Sequence, residues 1–549
     1  MKKLAILLLA LLMLSQASAL EIFDPRSAGY LEAEYSEFGN ISVATKDGTM
    51  PYLKLNLYSF PRESETLRVY SMDTDPNAVF AEKDGEPAYL FEWKNLQQGV
   101  YDYRLDAFVK SSQFFPKINK KIEFPFSVPD EIKQFTQATR KTESDDLEIK
   151  QTANKIIAGE TDAYKIAFKL AEWVHEHTTY DEAYWKDVYS AKSVLESGRG
   201  VCDEFSNLFI ALARSVGLPA RYVVGSVYTN IPTINDFQYH AWAEVWLPDF
   251  GWVPFDPTFA EYGWIDPTHI KVRDSKIVEP TSISYAWQKG DVIASSLNSD
   301  VKIITKRDDL PEYIKTESWL QEDKINFGSH DILWLQLENT QDFYIHTAAW
   351  LSKAPDIDGK NQADLLLGPK EKTTIGWIIN VPADLDEHYT YTYQIESSAL
   401  FSANSSAKLE VVPKDAAYIS LAEARNKIDE LAVAKKNSGQ PKISVTFEFP
   451  SETFVNTQAT ITAKIKNSGT APNEKFKVCM DDNCKNIYVG INDNVEQNFT
   501  LIETAPGIYK HILKFSDNTQ EIEISVKNKT FVMLLLDFLR ALFGSQRAE

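Results

Sequence analysis

Three long blocks of the chain alternate apolar and polar residues with a period of two, which is typical of strands with one buried face. The first block spans residues 20–128, where Tyr52–Tyr58 gives a regular example. The pattern returns over residues 286–414 and 440–527, and turn signals such as Asp47-Gly48 separate the runs. Each block is therefore predicted to form a β-sandwich.

Residues 129–285 follow a different pattern, in which helical and strand-like segments are mixed. Apolar residues recur there with a 3.6-residue period, which predicts helices with one buried face. The clearest such stripe begins just after Cys202, and Gly217 and Pro219 provide its stop signal. It consists of Phe205, Leu208, Phe209, Leu212, Ala213 and Val216. Residues 415–439 show a weaker helical pattern and are predicted to form a helical linker.

Composition and charge narrow the class of protein. The 549 residues are 44% hydrophobic and 25% charged, which is close to the globular average and excludes wholesale disorder or a polytopic membrane protein. With 57 Lys and Arg against 78 Asp and Glu, the formal net charge is -21. Because such a surface repels phosphate backbones, nucleic acid is not expected as a partner.

The N-terminus resembles a targeting segment rather than part of a domain. Lys2 and Lys3 precede a short apolar run, and Ala17-Ser18-Ala19 forms a cleavage signal. Residues 1–19 are therefore predicted to be a secretory signal peptide, with an uncleaved membrane anchor as the alternative. The run is shorter than the ~20 residues that a membrane span needs. We expect an exported protein, extracellular or associated with the cell surface or membrane.

The C-terminal segment, residues 528–549, is apolar but short. Asp537 and Arg540 would share one face of a helix over Phe531–Phe543, with the apolar residues on the other. This pattern predicts an amphipathic helix for a membrane surface or a partner, and packing onto the preceding domain is an equal alternative.

The chain has three cysteines, and their positions differ. Cys479 and Cys484 flank four residues in the last β-block, which predicts a hairpin disulfide in an oxidising compartment. A zinc site would need two further ligands, and none is close in sequence. Cys202 is left over, and a leftover thiol in such a compartment indicates either pairing between chains or chemical reactivity.

Cys202 lies at the predicted start of a helix, where unpaired N–H groups and the helix dipole lower a thiol pKa. Asp203 and Glu204 oppose that effect, so a basic partner is still needed. Taken alone, Cys202 is as well explained as a buried, inert cysteine.

A candidate basic partner lies in a predicted β-hairpin over residues 239–257, in which His240 opens the first strand and Asp256 closes the second. A hairpin loop of three or five residues would place His240 and Asp256 on one face as diagonal neighbours. A loop of two residues would place them on opposite faces. On one face, the carboxylate could orient the imidazole as in a nucleophile–base–orienter set.

Four motifs together resemble the transglutaminase-like superfamily: Gly200-Val-Cys-Asp-Glu-Phe, Gly217-Leu-Pro-Ala-Arg, His240-Ala-Trp-Ala-Glu-Val and Gly251-Trp-Val-Pro-Phe-Asp-Pro-Thr. The resemblance covers about residues 140–270. It implies an α+β papain-like/transglutaminase-like catalytic core, here flanked by all-β immunoglobulin-like sandwich domains. It also implies that Cys202 is the nucleophile, His240 the base and acid, and Asp256 the residue that orients His240. The backbone N–H of Cys202 is the expected oxyanion donor, with Trp185 as a speculative second.

The implied chemistry is attack of Cys202 on an amide of a protein or peptide, giving a thioester. Water would complete hydrolysis and an amine would complete crosslinking, and hydrolysis by a peptidase or amidase is favoured. The alternatives are a protein-crosslinking transglutaminase and a non-catalytic cell-surface binding protein. No metal or cofactor is expected. His175 and His177 would point to different faces of a helix, and the sequence does not indicate an oligomeric state.

Overall fold

The computed structural model describes residues 24–45, 48–83, 85–231, 234–278, 280–307, 310–433, 439–516, 518–530 and 533. The predicted signal peptide, and all of the apolar run Phe531–Phe543 except Met533, lie outside the described residues. An α+β core is flanked by all-β domains whose strands pair mostly antiparallel, which confirms the predicted fold class. Within the described ranges, no helix is both long and apolar enough to cross a membrane.

The first domain is a β-sandwich that is completed by strands from much later in the chain. One sheet has the order β15-β1-β6-β3, with β16 also paired to β1, and the other has the order β14-β2-β5-β4. The strands are β1 Tyr30–Ala44, β2 Met50–Leu57, β3 Leu67–Asp75, β4 Val79–Lys83, β5 Glu86–Leu96, β6 Gly99–Ser112, β14 Ile283–Gln288, β15 Asp291–Ala294 and β16 Asn298–Arg307.

The predicted boundary between residues 285 and 286 does not coincide with these sheets. Trp287 pairs with Leu53 and Val301 pairs with Tyr35, so residues 283–307 belong to the first sandwich and not to the third domain. The predicted end at residue 128 differs too, because Ile118 and Phe124 pack in the core of the α+β domain. Alternation identifies a strand and its buried face but not its partner.

The α+β domain packs helices against one face of a sheet with the order β12-β11-β10-β9-β13. Its helices are α1 Leu147–Ile157, α2 Ala163–His177, α3 Ala191–Ser197 and α4 Cys202–Ser215. Its strands are β7 Thr179–Tyr180, β8 Arg199–Gly200, β9 Ala220–Ile231, β10 Ile234–Leu247, β11 Gly251–Asp256, β12 Glu261–Tyr262 and β13 Ile270–Ser275. Short 3-10 helices lie at Pro25–Ser27, Lys133–Thr136 and Glu182–Tyr184.

Helix α4 lies at the centre of this domain. Its predicted apolar stripe, which includes Phe205, Leu208 and Leu212, is buried against the sheet and the neighbouring helices. From the sheet, Ala241, Ala243 and Val245 of β10 join the same apolar core. The small side chains of β10 allow the helix to lie close to the strand that carries His240.

Two further sandwiches follow. The third domain pairs β17-β19-β23-β21 and β18-β25-β24-β20-β22, and the last pairs β26-β28-β31 and β27-β33-β32-β29-β30. The third-domain strands are β17 Ile314–Leu320, β18 Lys324–Asn326, β19 His330–Asn339, β20 Ile345–Lys353, β21 Ile357–Asp358, β22 Gln362–Leu367, β23 Lys372–Asn380, β24 Tyr391–Ala399 and β25 Ser405–Val412. The last-domain strands are β26 Ile443–Glu448, β27 Glu452–Phe454, β28 Ala459–Asn467, β29 Asn473–Met480, β30 Asn483–Val489, β31 Asn494–Leu501, β32 Gly507–Phe515 and β33 Asn518–Lys527.

The predicted helical linker, residues 415–439, contains helix α5 Leu421–Val433, which is docked on the third domain. Ala424 is fully buried, and Leu421 and Ile428 pack with Ile332 and Ile378 of that sandwich. In the last domain, Cys479 and Cys484 face each other across the β29–β30 hairpin and form a disulfide.

Candidate active site

Cys202 is the first residue of helix α4, and the approach to the helix is fixed by Glu204. The buried Glu204 carboxylate accepts hydrogen bonds from the backbone N–H groups of Val201 and Tyr189, both at 2.9 Å. A Cβ at Gly200 would lie 2.2 Å from Cβ of Glu204, so only glycine fits there. The Gly200-Val-Cys-Asp-Glu motif therefore holds Cys202 at a defined place.

The sulfur of Cys202 contacts the strand that carries His240. The backbone N–H of Ala241 donates a hydrogen bond to this sulfur. The Ala241 carbonyl in turn accepts a hydrogen bond from Ser206 Oγ at 3.0 Å. Strand β10 is thus attached to helix α4 through both backbone groups of the residue that follows His240.

The surroundings of Cys202 favour the protonated thiol. Burial, and after it the charge of Asp203, raise the pKa of Cys202 well above its ordinary value. The carboxylate of Asp203 accepts a hydrogen bond from the Tyr222 hydroxyl and remains close to the thiol. The lowering that a helix start predicts is therefore outweighed, because desolvation penalises the thiolate more than the helix dipole stabilises it. Chemistry at Cys202 needs a base.

The hairpin has the geometry that places His240 and Asp256 on one face. Leu247 pairs with Gly251 and Ala243 pairs with Phe255, which leaves a loop of three residues. His240 Nε2 lies 2.7 Å from Asp256 Oδ2, and both side chains are buried. With Nε2 held by the carboxylate, Nδ1 is the ring nitrogen left for a reacting group.

Asp256 is surrounded by hydrogen-bond donors. Its Oδ1 accepts from the backbone N–H of Thr258 at 2.7 Å and of Phe259 at 3.3 Å. Its Oδ2 lies between His240 and a second imidazole, His269, whose Nε2 is 3.1 Å away. Although burial raises the pKa of Asp256, the two imidazoles more than offset it, and its pKa lies well below the usual range. The carboxylate is therefore ionised, as a residue that orients and stabilises an imidazolium must be.

Two of the motif residues have a structural role on the same face of the sheet. Arg221 Nη2 lies 2.6 Å from Glu244 Oε2, and Lys271 Nζ lies 2.9 Å from the same oxygen. Arg221 also lies over the Trp252 ring, 4.2 Å from its centroid, and pairs with Asp274. This network ties β9, β10 and β13 together beside His240.

Other residues singled out in the sequence lie elsewhere. Trp185 is 71% exposed at the end of a short 3-10 helix, and its role as an oxyanion donor stays a prediction. His175 and His177 bond to different carbonyls, those of Pro257 and Leu195.

His269 was not identified from the sequence, although it is fully buried against Asp256. It lies just before β13, outside all four motifs, and only the strand order β10-β9-β13 brings it near His240. Its nearest sequence signal, the run Asp266-Pro-Thr-His269, is equally typical of an ordinary turn.

Comparison with known proteins finds a family match over the part of the chain that contains Cys202, His240 and Asp256. Residues 150–257 match the model of the transglutaminase-like superfamily. An uncharacterised Bacillus subtilis protein, YebA, is 34% identical over 16% of this chain and 13% of its own length. A Pseudomonas aeruginosa protein-glutamine gamma-glutamyltransferase is 31% identical over 12% of this chain and 11% of its own.

Among solved structures, a Cytophaga hutchinsonii protein provisionally named a cysteine protease is 17% identical, with a TM-score of 0.40. That similarity covers 50% of this chain and 91% of the other. The chain spans less than half the length of the curated relatives named above. The superfamily match contains Cys202, His240 and Asp256. It confirms the resemblance inferred from the motifs: residues 150–257 carry a core of the transglutaminase-like superfamily.

Proposed function

We propose that this protein is an exported cysteine-dependent enzyme that acts on amide bonds of proteins or peptides through a thioester on Cys202. The observation that carries the proposal is the buried His240–Asp256 pair, 2.7 Å apart, on a strand whose next residue hydrogen-bonds the Cys202 sulfur. Hydrolysis is the favoured outcome, which makes the protein a peptidase or amidase.

Acylation begins with the proton of the Cys202 thiol, which passes to His240 Nδ1 as the sulfur attacks the amide carbon. The carbonyl oxygen gains the negative charge and is stabilised by the backbone N–H of Cys202 at the helix start. His240 then gives its proton to the amide nitrogen, the C–N bond breaks, and an amine leaves. Asp256, which stays ionised, stabilises the imidazolium between the two transfers.

Deacylation uses the same groups. His240 takes a proton from water, the hydroxide oxygen attacks the thioester carbon, and the C–S bond breaks as the proton returns to sulfur. A primary amine in place of water would give a new amide. The name of the Pseudomonas aeruginosa relative favours this transfer reaction as the second candidate.

Export and a surface location belong to the same proposal. They are supported by the signal-like pattern of residues 1–19 and by the Cys479–Cys484 disulfide, since such bonds persist in oxidising compartments. The sandwiches would hold the core near its target, with residues 528–549 in contact with the membrane surface. Deleting residues 530–549 is expected to release the protein from membranes. Unchanged membrane association would reject that role.

Thiol labelling tests whether Cys202 is activated. The full-length protein is treated with iodoacetamide from pH 5 to pH 9, and the modified residue is identified by mass spectrometry. Although the pKa of Cys202 is raised, we expect labelling below the ordinary thiol pKa of about 8.5, because His240 takes the thiol proton as the sulfur reacts. His240→Ala should slow this labelling at least tenfold, since the thiol is then left without its base. His388→Ala is the matched control, because His388 is 90% exposed and outside the site.

Slow labelling that follows ordinary thiol behaviour and ignores His240→Ala would favour the non-catalytic binding protein. To separate hydrolysis from transfer, the protein is incubated with a mixture of denatured proteins and a fluorescent primary amine. New protein termini or free acid without bound amine are expected. Incorporation of the amine that depends on Cys202 would establish transfer instead.

A further inference from the structure

We propose that His269 is a positioning residue of the catalytic centre, a buried imidazolium that shares Asp256 with His240 and thereby controls how strongly Asp256 acts on His240. The inference rests on the proposed function of Cys202, His240 and Asp256. It concerns a residue outside the family motifs found in the sequence.

The sharing is visible in the hydrogen bonds of Asp256. Its Oδ1 is occupied by two backbone N–H groups, so both imidazoles have to use Oδ2. His240 Nε2 lies 2.7 Å from that oxygen and His269 Nε2 lies 3.1 Å from it. The two rings are 5.6 Å apart and nearly perpendicular, with an interplanar angle of 73°. One carboxylate oxygen therefore accepts from two imidazoles at once.

The opposite edge of the His269 ring faces further acids. Nδ1 lies 3.3 Å from the backbone oxygen of Asp266 and 3.5 Å from its Oδ2. Glu261 Oε2 is 4.0 Å from the same nitrogen. Asp266 is itself fixed, since its Oδ1 accepts from the backbone N–H of Thr268 at 2.7 Å and from its hydroxyl at 2.5 Å. The titratable groups that face His269 are thus Asp256, Glu261, Asp266 and His240.

Three carboxyl groups surround a ring that is 0% exposed, and this arrangement favours a positive charge on the ring. Although burial lowers the pKa of His269, Asp266, Asp256 and Glu261 together raise it well above its ordinary value. Burial and the neighbouring Asp266 raise the pKa of Glu261, so Glu261 is the weakest source of negative charge among the three carboxyl groups. The cluster holds Asp256 and Asp266 as anions and His269 as a cation.

The sharing of Asp256 affects His240, the proposed base. An unshared Asp256 would stabilise the imidazolium of His240 strongly, and a protonated His240 cannot take the thiol proton. A permanent cation on the other side of Oδ2 weakens that stabilisation while keeping the carboxylate in place. His269 therefore limits how strongly Asp256 stabilises the imidazolium of His240.

Two substitutions separate the charge of His269 from its hydrogen bond. His269→Gln keeps an N–H donor for Asp256 but carries no charge, and His269→Phe removes both. In the iodoacetamide assay on full-length protein, we expect the acid limb of the pH–rate profile to move up by about 0.5–1 pH unit in His269→Gln. His269→Phe should show a further 10- to 100-fold loss of rate, because Asp256 loses a donor as well as a neighbouring charge.

The outcomes are distinguishable. If His240→Ala has no effect on labelling, the proposed function fails whatever the His269 variants do. If His240→Ala abolishes labelling but the profile of His269→Gln matches the wild type, the inference about His269 is overturned. It is overturned too if both His269 variants lose rate equally, without a shift in pH and with a lowered melting temperature, because His269 is then only structural.

A metal ion bound by Glu261, Asp266 and His269 is the alternative to a positive charge on the His269 ring. The purified protein is treated with a chelator and its metal content is measured. One equivalent of metal that is released together with the loss of labelling would show that His269 is a ligand, which overturns the proposal. If His269→Phe does not fold, the pH profile of His269→Gln decides alone.

Discussion

Asp256 in the α+β core and Glu37 in the first sandwich are both buried carboxyl groups. Their environments shift the pKa in opposite directions. Asp256 is fully buried and accepts from two backbone N–H groups and two imidazoles. Glu37 is 1% exposed, and its Oε2 has no hydrogen-bond partner among the described residues. The pKa of Asp256 lies well below its usual range, whereas burial raises that of Glu37 to about 8.

The difference shows what keeps a buried acid charged. Burial disfavours the anion in both places, so burial alone predicts a protonated acid twice. The core adds cationic and backbone donors that compensate for the lost hydration. In the sandwich, the described groups that lower the pKa of Glu37 are the neutral hydroxyl groups of Ser59 and Tyr35. The hydrogen-bond donors around the carboxyl group, and not its depth of burial, decide which acid is charged at neutral pH.

The largest expected effect on activity comes from removing the negative charge of Asp256 in the α+β core. Asp256→Asn keeps the size of the side chain but replaces the acceptor facing His240 with an amide that can present a donor. It also leaves His269 without its carboxylate. We expect Cys202 labelling and amide turnover to fall about 10³-fold or more, as expected when the orienting carboxylate of such a set is lost. The rates are measured across pH 5–9.

Glu37→Gln is the matched control, since it makes the same change of acid to amide in the other buried site. It should leave labelling and turnover within about twofold of the wild type. A loss of activity in both variants alike would mean that the two carboxyl groups contribute in the same way, through folding, and that the contrast between them is not catalytic.

The sequence predicted the geometry of the His240–Asp256 pair better than the surroundings of the proposed site. The motifs and the register of one hairpin were enough to bring His240 to Asp256, because both constraints are local in the chain. The net direction of the thiol pKa at Cys202 could not be predicted, because a helix start and neighbouring acids are visible in a sequence but desolvation by the whole domain is not.

Long-range pairing accounts for the other differences. Residues 283–307 alternate like any strands, and nothing local shows that they return to β1 and β2. His269 is separated from Asp256 by a turn and β12, and its position depends on β13 pairing with β9 rather than with β10. Side chains assembled by such pairings have no signature in one sequence.

A smaller effect is expected from Glu37, on the free energy of unfolding of the first sandwich. A carboxyl group whose pKa is raised in the fold favours folding fully below its unfolded pKa, and that contribution is lost as the pH rises through the folded value. For Glu37 the stability should therefore decline between about pH 4.5 and pH 8. Glu37→Gln has no such proton, so by pH 9 it should have gained about 4 kcal/mol on the wild type relative to pH 4.5.

The measurement is urea denaturation of both proteins, followed by circular dichroism, at pH 4.5, 7 and 9. Because several domains contribute, the transition of the first sandwich is identified by its response to the variant. Parallel curves for the two proteins at all three values of pH would show that the fold does not raise the pKa of Glu37. The contrast with Asp256 would then disappear.

The smallest expected effect comes from changing one donor near Glu37. Tyr35→Phe removes a hydroxyl group that lowers the pKa of Glu37. Its loss should raise that pKa further, so the alkaline end of the decline in stability should move to higher pH, by up to about one unit. Urea titrations at half-unit steps of pH measure the midpoint. Tyr103→Phe is the matched control, since the Tyr103 hydroxyl is buried without a partner among the described atoms and should leave the midpoint in place. A shift to lower pH in Tyr35→Phe would mean that this hydroxyl accepts from the protonated acid. Donor supply would then not be what separates Glu37 from Asp256.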